Sequence, residues 1–597
     1  MTRYYIGLAA SFHDPALAIV DAEGNVLFAE ATERYVQDKR GFNCPPDHQL
    51  RSAELVRTYC QPDAELVLAL TWSQQVLDTL CLGALEQVSI YPPFLADLAD
   101  LFYQSEDYRF WPFPNIKGLR TAMLGSLGQA GNNLLFHRDV PNSFRVRRYD
   151  HHLTHAAMGC YSSPFREAAC AVVDGYGEWT STSFFHYRDG ELRPLQRRRH
   201  WLSPGTASLG MFYSLLCGLC GFSSLKGEEW KVMGLAAYGK VDPRLYDLLQ
   251  PMVEAHGLEV RSGLSAEEHR VRLQALRRQV RPAGTSPLEA ADLARTGQEV
   301  FADTMRDLLR NLHRLGISDD LVLAGGCALN SSFNGRIVME TPFRRVHVPS
   351  APADDGNALG AALLACREDH PAVPLPRCAL SPFLGTDISR PALENLVRFG
   401  GFTELAHLPE AVAERTAQVL ADGKIVGWMQ GRAEFGPRAL GNRSILADPR
   451  RPDMKDRLNA RVKFREEYRP FAPSILHECG PAYFEDYQDS PYMERALVFR
   501  PEVRDRVPAV VHADGTGRVQ SVTAERNPKF YDLLSHFHRL TGVPLVLNTS
   551  FNVMGKPIIH SVEDALGVFC TSGIDVLVID DYLIEKWPSR CPEKRPW

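Results

Sequence analysis

The chain has 597 residues, too many for one hydrophobic core, so two or more lobes are expected. It is 45% hydrophobic and 23% charged with a formal net charge of −6, which excludes the strong basic excess of a nonspecific nucleic-acid binder. The longest apolar runs, such as Val576-Leu577-Val578-Ile579, are strand-length against the roughly 20 residues that span a bilayer, so no membrane partner is expected. Met1-Thr2-Arg3-Tyr4-Tyr5 runs into a strand without a secretory signal, and thirteen scattered cysteines point to reduced thiols; a cytoplasmic location is expected. Cys217 and Cys220 form a C-x-x-C pair with no second pair or histidine at ligand spacing, and read as structural.

In chain order, Tyr5 to Ala9 predict a strand, Ser11-Phe12-His13-Asp14-Pro15 a polar loop, Ala16 to Val20 a second strand, and Val26 to Glu30 a third beyond a turn. The segment from Trp72 to Asn142 is rich in aromatics. Trp72, Tyr91, Phe94, Tyr103, Tyr108 and Trp111 there either line an acceptor pocket or pack a helical subdomain. In Asp150-His151-His152-Leu153-Thr154-His155-Ala156 the flanks suit a helix, which stacks His151 and His155 on one face, able to address one metal ion, and turns His152 elsewhere. With Asp174 in Val172 to Glu178, and Asp354 and Asp355 before Gly356, the set suits Fe(II), Mn(II) or Zn(II) bound to a phosphate-bearing ligand.

The first pattern recurs: Ala169 to Val173, the loop Asp174 to Glu178, Ser183 to Tyr187, a turn at Arg188-Asp189-Gly190, then Glu191-Leu192. Two such halves are the plan of the actin-like ATPase fold, which by itself gives no reaction. Leu321 to Asn330 supplies a nucleotide-binding turn, a buried strand ending in Gly325 and Gly326, with Asn330 at the following helix. The proline-rich stretch around His370 to Pro376 reads as a linker over 369–387, between domains at 1–368 and 388–597. In the last of these Arg432, Arg438, Arg443, Lys463, Arg465, Arg469 and Arg518 supply positive charge for anionic ligands.

The segments Phe12-His13-Asp14, Asp38 to Asn43, His151 to Ala156, Lys231 to Gly239, Ala324 to Asn330, Phe435 to Ser444, Lys463 to Pro473 and Leu547 to Asn552 occur in the order of one family. The chain resembles the NodU/TobZ-type O-carbamoyltransferases over nearly its whole length. The resemblance implies an α/β protein, an actin-like (ASKHA, TsaD-like) domain fused to a YrdC-like domain. The YrdC-like part would form carbamoyl-adenylate from carbamoyl phosphate and Mg-ATP, and the TsaD-like part would pass the carbamoyl group to a hydroxyl of a small-molecule natural product. By position, the resemblance implies His151, His155 and Asp354 as ligands of Fe(II) or another divalent transition metal, with Asp174 reaching the metal or its water. It implies His13 as the active-site histidine, which fits a general base, and Lys39 on the acceptor side. Arg438, Lys463, Arg469 and Arg518, with Asn548 and Ser550, are expected to hold carbamoyl phosphate and ATP, while Arg465 and Glu466 are expected to pair locally. Lys556 departs from the glutamate often found at that position in the family. Two alternatives stay open: a nucleotide-binding ATPase of the actin-like fold, and carbamoylation of a macromolecular acceptor, against which the acidic balance weighs.

Overall fold

A computed structural model describes residues 2–586 except 12, 43, 49–50, 77, 79–132, 135–143, 197–206, 225 and 377. Tyr91, Phe94, Tyr103, Tyr108 and Trp111 lie outside the described residues. The chain divides into two compact units, one comprising Met1–Leu384 with Phe435–Pro437 and the other Gly385–Glu434 with Arg438–Trp597. Among the described residues no helix is long and apolar enough to cross a membrane.

The first unit holds two five-stranded sheets of one design. In the first, β1 (Arg3–Ala9), β2 (Ala16–Val20) and β3 (Val26–Ala31) form an antiparallel meander, and β4 (Glu65–Leu70) and β5 (Phe144–Arg148) add parallel to β1, in the order β3-β2-β1-β4-β5. In the second, β6 (Glu167–Val173), β7 (Thr182–Arg188) and β8 (Glu191–Pro194) repeat the meander. After a short ribbon of β9 (Glu254–His256) and β10 (Glu259–Arg261), β11 (Asp320–Ala324) and β12 (Arg345–His347) complete that sheet in the order β12-β11-β6-β7-β8. Two copies of one meander, each extended by parallel strands, are the actin-like plan expected from the sequence repeat.

Helices α1 (His151–Tyr161) and α2 (Asn357–Asp369) pack between these sheets in a core that includes Ala156, Ala157, Met158, Leu359 and Ala362. Glycine sets their closeness. A Cβ at Gly360 would collide with the Thr154 carbonyl of α1, and one at Gly7 with the Ala358 carbonyl of α2. Small residues thus let α2 lie against α1 at Thr154, next to His155, and the turn entering α2 carries Asp354 to the same place. The proline-rich segment after α2 packs against this core through Val373, Leu375 and Leu380, and the Leu380 N–H donates to Ser162 O at 3.0 Å.

The second unit is built on a nine-stranded mixed sheet. Its strands are β13 (Leu405–His407), β14 (Val426–Met429), β15 (Arg443–Ala447), β16 (Ala472–Leu476), β17 (Arg495–Val498), β18 (Thr516–Val522), β19 (Leu545–Ser550), β20 (Val576–Ile579) and β21 (Tyr582–Glu585). They lie in the order β13-β21-β20-β14-β15-β19-β16-β18-β17. Helices α3 (Val412–Ala421), α4 (Pro528–Thr541) and α5 (Val562–Thr571) bury apolar stripes against it, with Trp428, Leu533, Phe537, Leu547 and Phe569 in one core. Ser561 starts α5 with a capping box closed by Asp564. Both units are therefore α/β.

Candidate functional site

In the first unit, Nε2 of His151 and His155, Asp174 Oδ2 and Asp354 Oδ1 all lie within 4.8 Å of one another. Each histidine nitrogen is 3.6 Å from the Asp174 oxygen and 3.5 Å from the Asp354 oxygen. Those separations exceed a good hydrogen bond. They match the edges of a tetrahedron of donors about 2.1 Å from one ion, roughly 3.4 Å.

Each donor is held from behind. Asp150 caps α1, its Oδ1 accepting from Leu153 N at 2.9 Å, and Glu178 Oε1 accepts the His151 N–H at 3.3 Å. Pro352 O lies 3.1 Å from His155 Nδ1, which fixes the tautomer that offers Nε2 to an ion, and Asn357 Nδ2 stands 3.1 Å from that Nε2. His151 stacks on the indole of Trp72, ring centroids 4.3 Å apart. Gly326 N donates to Asp174 Oδ1 at 2.9 Å, leaving Oδ2 for the histidines. Ser11 Oγ donates to Asp354 Oδ2 at 3.3 Å, leaving Oδ1. The donor set, its spacing and these supports fit a divalent transition metal.

The electrostatics agree. Burial alone would push His151 down, but Asp354 and Asp174 raise it to about 10; His155 is likewise raised against burial by Asp174 and Asp354. Burial works against Asp174 and Asp354 as carboxylates, yet the two histidines hold both well below the usual range. A cation there would take over this compensation. His152, one turn-face away, is pushed by burial to about 3 and points instead at Ser183 Oγ, 2.8 Å from its Nδ1.

His13 stands at the rim, about one-fifth exposed, its Nδ1 2.9 Å from Asp14 Oδ2 and 3.7 Å from Asp354 Oδ2. Arg40 grips Asp14 at 2.7 Å. Burial would raise the Asp14 carboxyl, but Arg40 and His13 lower it to about 2. Lys39 begins the turn Lys39–Gly41, and its Nζ lies 5.4 Å from the centre of the Trp230 ring. Gly325, Gly326 and Asn330 follow β11. Gly325 has φ +90°, and a Cβ there would strike the Val173 carbonyl. Asn330 caps the short helix after it through Phe333 N at 3.0 Å and exchanges amide hydrogen bonds with Gln298 at 3.0 and 3.2 Å. Its amide is engaged inside the unit, while Gly326 buttresses Asp174. Sequence reasoning had no signal for the supports Glu178 and Asn357.

The second unit collects cations. Glu434 Oε1 accepts the backbone N–H groups of Leu440, Asn442 and Arg443 at 2.7, 2.9 and 3.0 Å, folding the loop that presents Arg438. Lys463 ends a π turn over Asn459–Lys463; its Nζ donates to Asn552 Oδ1 at 2.8 Å, to Ser550 Oγ at 3.3 Å and to the Ser550 carbonyl. Arg518 projects from β18. Asn548, in β19, shares its Nδ2 among Ser474 Oγ at 2.9 Å, Gln520 Oε1 at 3.2 Å and Ala439 O at 3.3 Å, and its buried Oδ1 has no partner among the described residues.

Glu466 forms a local ion pair with Arg469 at 3.3 Å. Arg465 donates to Asn459 Oδ1 at 2.9 Å, and its guanidinium lies 4.3 Å from the Phe471 ring centre. The turn after Lys463 aims residue 465 back into the unit, so it joins the cation cluster. Burial lowers Arg438 to about 10. Burial and then the neighbouring cations hold Lys463, Arg465 and Arg518 well below their ordinary values. Among the described residues neither Arg438 nor Arg518 has an anionic partner. Such a cluster is costly without a ligand and well suited to polyanions. The Lys556 side chain is exposed, and its carbonyl accepts from Asn552 Nδ2 at 2.7 Å.

Residues 4–363 match the carbamoyltransferase N-terminus and residues 417–586 the carbamoyltransferase C-terminus. The chain is 31% identical to the uncharacterized protein sll1178 of Synechocystis sp., over 98% of this chain and 97% of that one. It is 38% identical to nodulation protein NolNO of Sinorhizobium fredii over 74% of this chain and 64% of that one. With nodulation protein NolO of Bradyrhizobium diazoefficiens the identity is 36%, over 74% and 79%.

Proposed function

The chain belongs to the carbamoyltransferase family, and we propose that it activates carbamoyl phosphate with ATP in the second unit and carbamoylates an alcohol in the first. The observation that carries the reading is the pair of cations Arg438 and Arg518, largely enclosed, without anionic partners among the described residues and beside Lys463, Arg465 and Arg469. Two polyanionic substrates meeting in one place need that charge.

In the second unit water cleaves carbamoyl phosphate to carbamate and inorganic phosphate. A carbamate oxygen then attacks the α-phosphorus of ATP. The new C–O–P linkage of carbamoyl-adenylate forms as the bond between the α- and β-phosphates breaks and pyrophosphate leaves. Arg438, Lys463, Arg469 and Arg518 neutralise the repulsion between the two anions, and arginine's planar fork suits phosphate oxygens. Ser550 and Asn548 offer neutral polar contacts to the carbamoyl end.

In the first unit the acceptor hydroxyl attacks the carbamoyl carbon, the bond to the AMP oxygen breaks, and AMP leaves. His13 takes the hydroxyl proton. Asp14, held ionised by Arg40, engages Nδ1 at 2.9 Å and so leaves Nε2 as the basic nitrogen. A general base of this kind contributes about 10²–10⁴-fold. A divalent ion at His151, His155, Asp174 and Asp354, for which we propose Fe(II), would supply Lewis acidity to the carbamoyl carbonyl or hold the adenylate phosphate. Lys39 lies on the acceptor side, and the acceptor is a small-molecule natural product bearing a hydroxyl.

The test is pyrophosphate release by the full chain given ATP, Mg²⁺ and carbamoyl phosphate. Release that requires carbamoyl phosphate, with carbamoyl-AMP trapped when no alcohol is present, is the expected result. Release of orthophosphate from ATP alone, indifferent to carbamoyl phosphate, would reject it.

A further inference from the structure

Phe464 is out of place by ordinary rules. It follows Lys463 at the end of the π turn Asn459–Lys463 and adopts the left-handed conformation, φ 48° and ψ 49°. An aromatic residue is strained there, and such strain persists only where the surroundings impose it. The conformation turns its neighbours inward: Lys463 is 3% exposed, whereas Phe464 is 50% exposed. A second apolar side chain, Met554, is 56% exposed two residues beyond Asn552, whose Oδ1 accepts from Lys463 Nζ at 2.8 Å. An unburied ring and an unburied thioether therefore stand on the two segments that Lys463 clips together.

The flanks say what such a ring serves. Lys463 and Arg465, on either side of it in the chain, both belong to the cation cluster, and Arg469 follows. A ligand of that cluster that also carries a flat heteroaromatic ring would bring its phosphates to the cations, and Phe464, between Lys463 and Arg465 in the chain, offers an exposed apolar ring for its base. Carbamoyl phosphate has no such ring. A nucleoside triphosphate has.

We infer that Phe464 is the platform on which the base of the nucleotide stacks, with Met554 closing the apolar rim. Stacking needs only a π-face, so the platform favours nucleotides over baseless polyphosphates without choosing strongly between purines. The inference rests on the reading that ATP binds at Arg438, Lys463, Arg469 and Arg518.

The experiment measures pyrophosphate release by the full chain carrying Phe464→Gly, Phe464→Leu or Phe464→Tyr, together with inhibition by tripolyphosphate. Phe464→Gly and Phe464→Leu should raise KM for ATP roughly 5- to 100-fold, the range for loss of one base–aromatic stack. KM for carbamoyl phosphate and inhibition by tripolyphosphate should stay unchanged, and Phe464→Tyr should restore the ATP value. Glycine relieves the left-handed backbone, so Phe464→Gly should keep or raise Tm while losing ATP affinity, a combination that a packing role does not produce. An unmoved KM for ATP in both Phe464→Gly and Phe464→Leu overturns the platform and leaves the two-step reading intact. So does an equal loss for tripolyphosphate, or an effect confined to the alcohol acceptor. Failure of the wild-type chain to use ATP at all removes both.

Discussion

Replacing Arg518 by methionine should make the protein more stable and a worse enzyme. Arg518 sits on β18 within reach of Arg438, Arg465 and Arg469, and burial followed by those three cations pulls it well below its ordinary value. No carboxylate offsets it among the described residues, and its buried Nε has no hydrogen-bond partner. Arg518 is only partly buried, so exchanging it for an apolar side chain of similar length removes a partly screened repulsion and stabilises by about 1 kcal/mol. In a unit of roughly 150–250 residues each kcal/mol moves Tm by about 2–4 °C, so the ligand-free variant should melt a few degrees higher. The same change removes a charge-assisted contact to phosphate, worth about 1.5–3 kcal/mol, or a rise in KM for ATP of roughly 10- to 100-fold. Calorimetry with and without ATP, and pyrophosphate release against ATP concentration, give the two numbers. Added salt should shrink the gain in Tm, because ions screen the wild-type repulsion. A lower Tm with unchanged kinetics would show that Arg518 serves packing, and the anion-pocket reasoning would fail with it.

Three further outcomes follow from the first unit. Asp354→Asn, which removes one anionic donor facing both histidines, should weaken metal binding by about 100-fold or more, read as metal retained after dialysis against a competing chelator; undiminished retention would take Asp354 out of the donor set. His13→Asn should abolish carbamoyl transfer yet leave pyrophosphate release from ATP and carbamoyl phosphate largely intact, and equal loss of both would remove His13 from the transfer step. Asp369 accepts from Arg147 at 2.6 Å, Arg3 at 2.7 Å and Tyr5 at 2.9 Å; burial raises its carboxyl, but these partners lower it from 3.8 to about 2. A folded value below the unfolded one means its stabilisation is whole above about pH 4 and fades as pH falls towards 2. Asp369→Asn should flatten that part of an acid-unfolding curve, and an unaltered slope would refute the assignment.

What the sequence discloses here is periodic or local. The meander of β1 to β3 and its copy in β6 to β8 were legible because strand, turn and strand alternate within about thirty residues, and the repeat itself named the actin-like plan. His151 and His155 were legible because helical spacing places i and i+4 on one face. Asp174 and Asp354 stood out as acidic loop residues that could complete the set, but no spacing rule joins residues so far apart in the chain, and only the resemblance assigned them by position. The fold joins them through features with little sequence signature: Gly360 letting α2 touch α1 at Thr154, and Gly326 turning one oxygen of Asp174 away from the histidines.

The second unit shows why charge is harder to read than periodicity. A list of arginines does not tell which is paired: Arg469 lies 3.3 Å from Glu466, whereas Arg465 donates to Asn459 Oδ1 at 2.9 Å. The left-handed residue at Phe464 turns the chain between Lys463 and Arg465, and neither helix nor strand pattern announces it. The same blindness covers Glu434. Its Oε1 gathers three backbone N–H groups from the loop carrying Arg438, so a residue that need touch no substrate fixes where one of the main cations points. Phosphate recognition depends on the angle between guanidinium and oxygen as much as on charge. Geometry of that kind lives in loop hydrogen bonds, which is why a motif can name the ligands while the precision of the pocket rests on residues outside it.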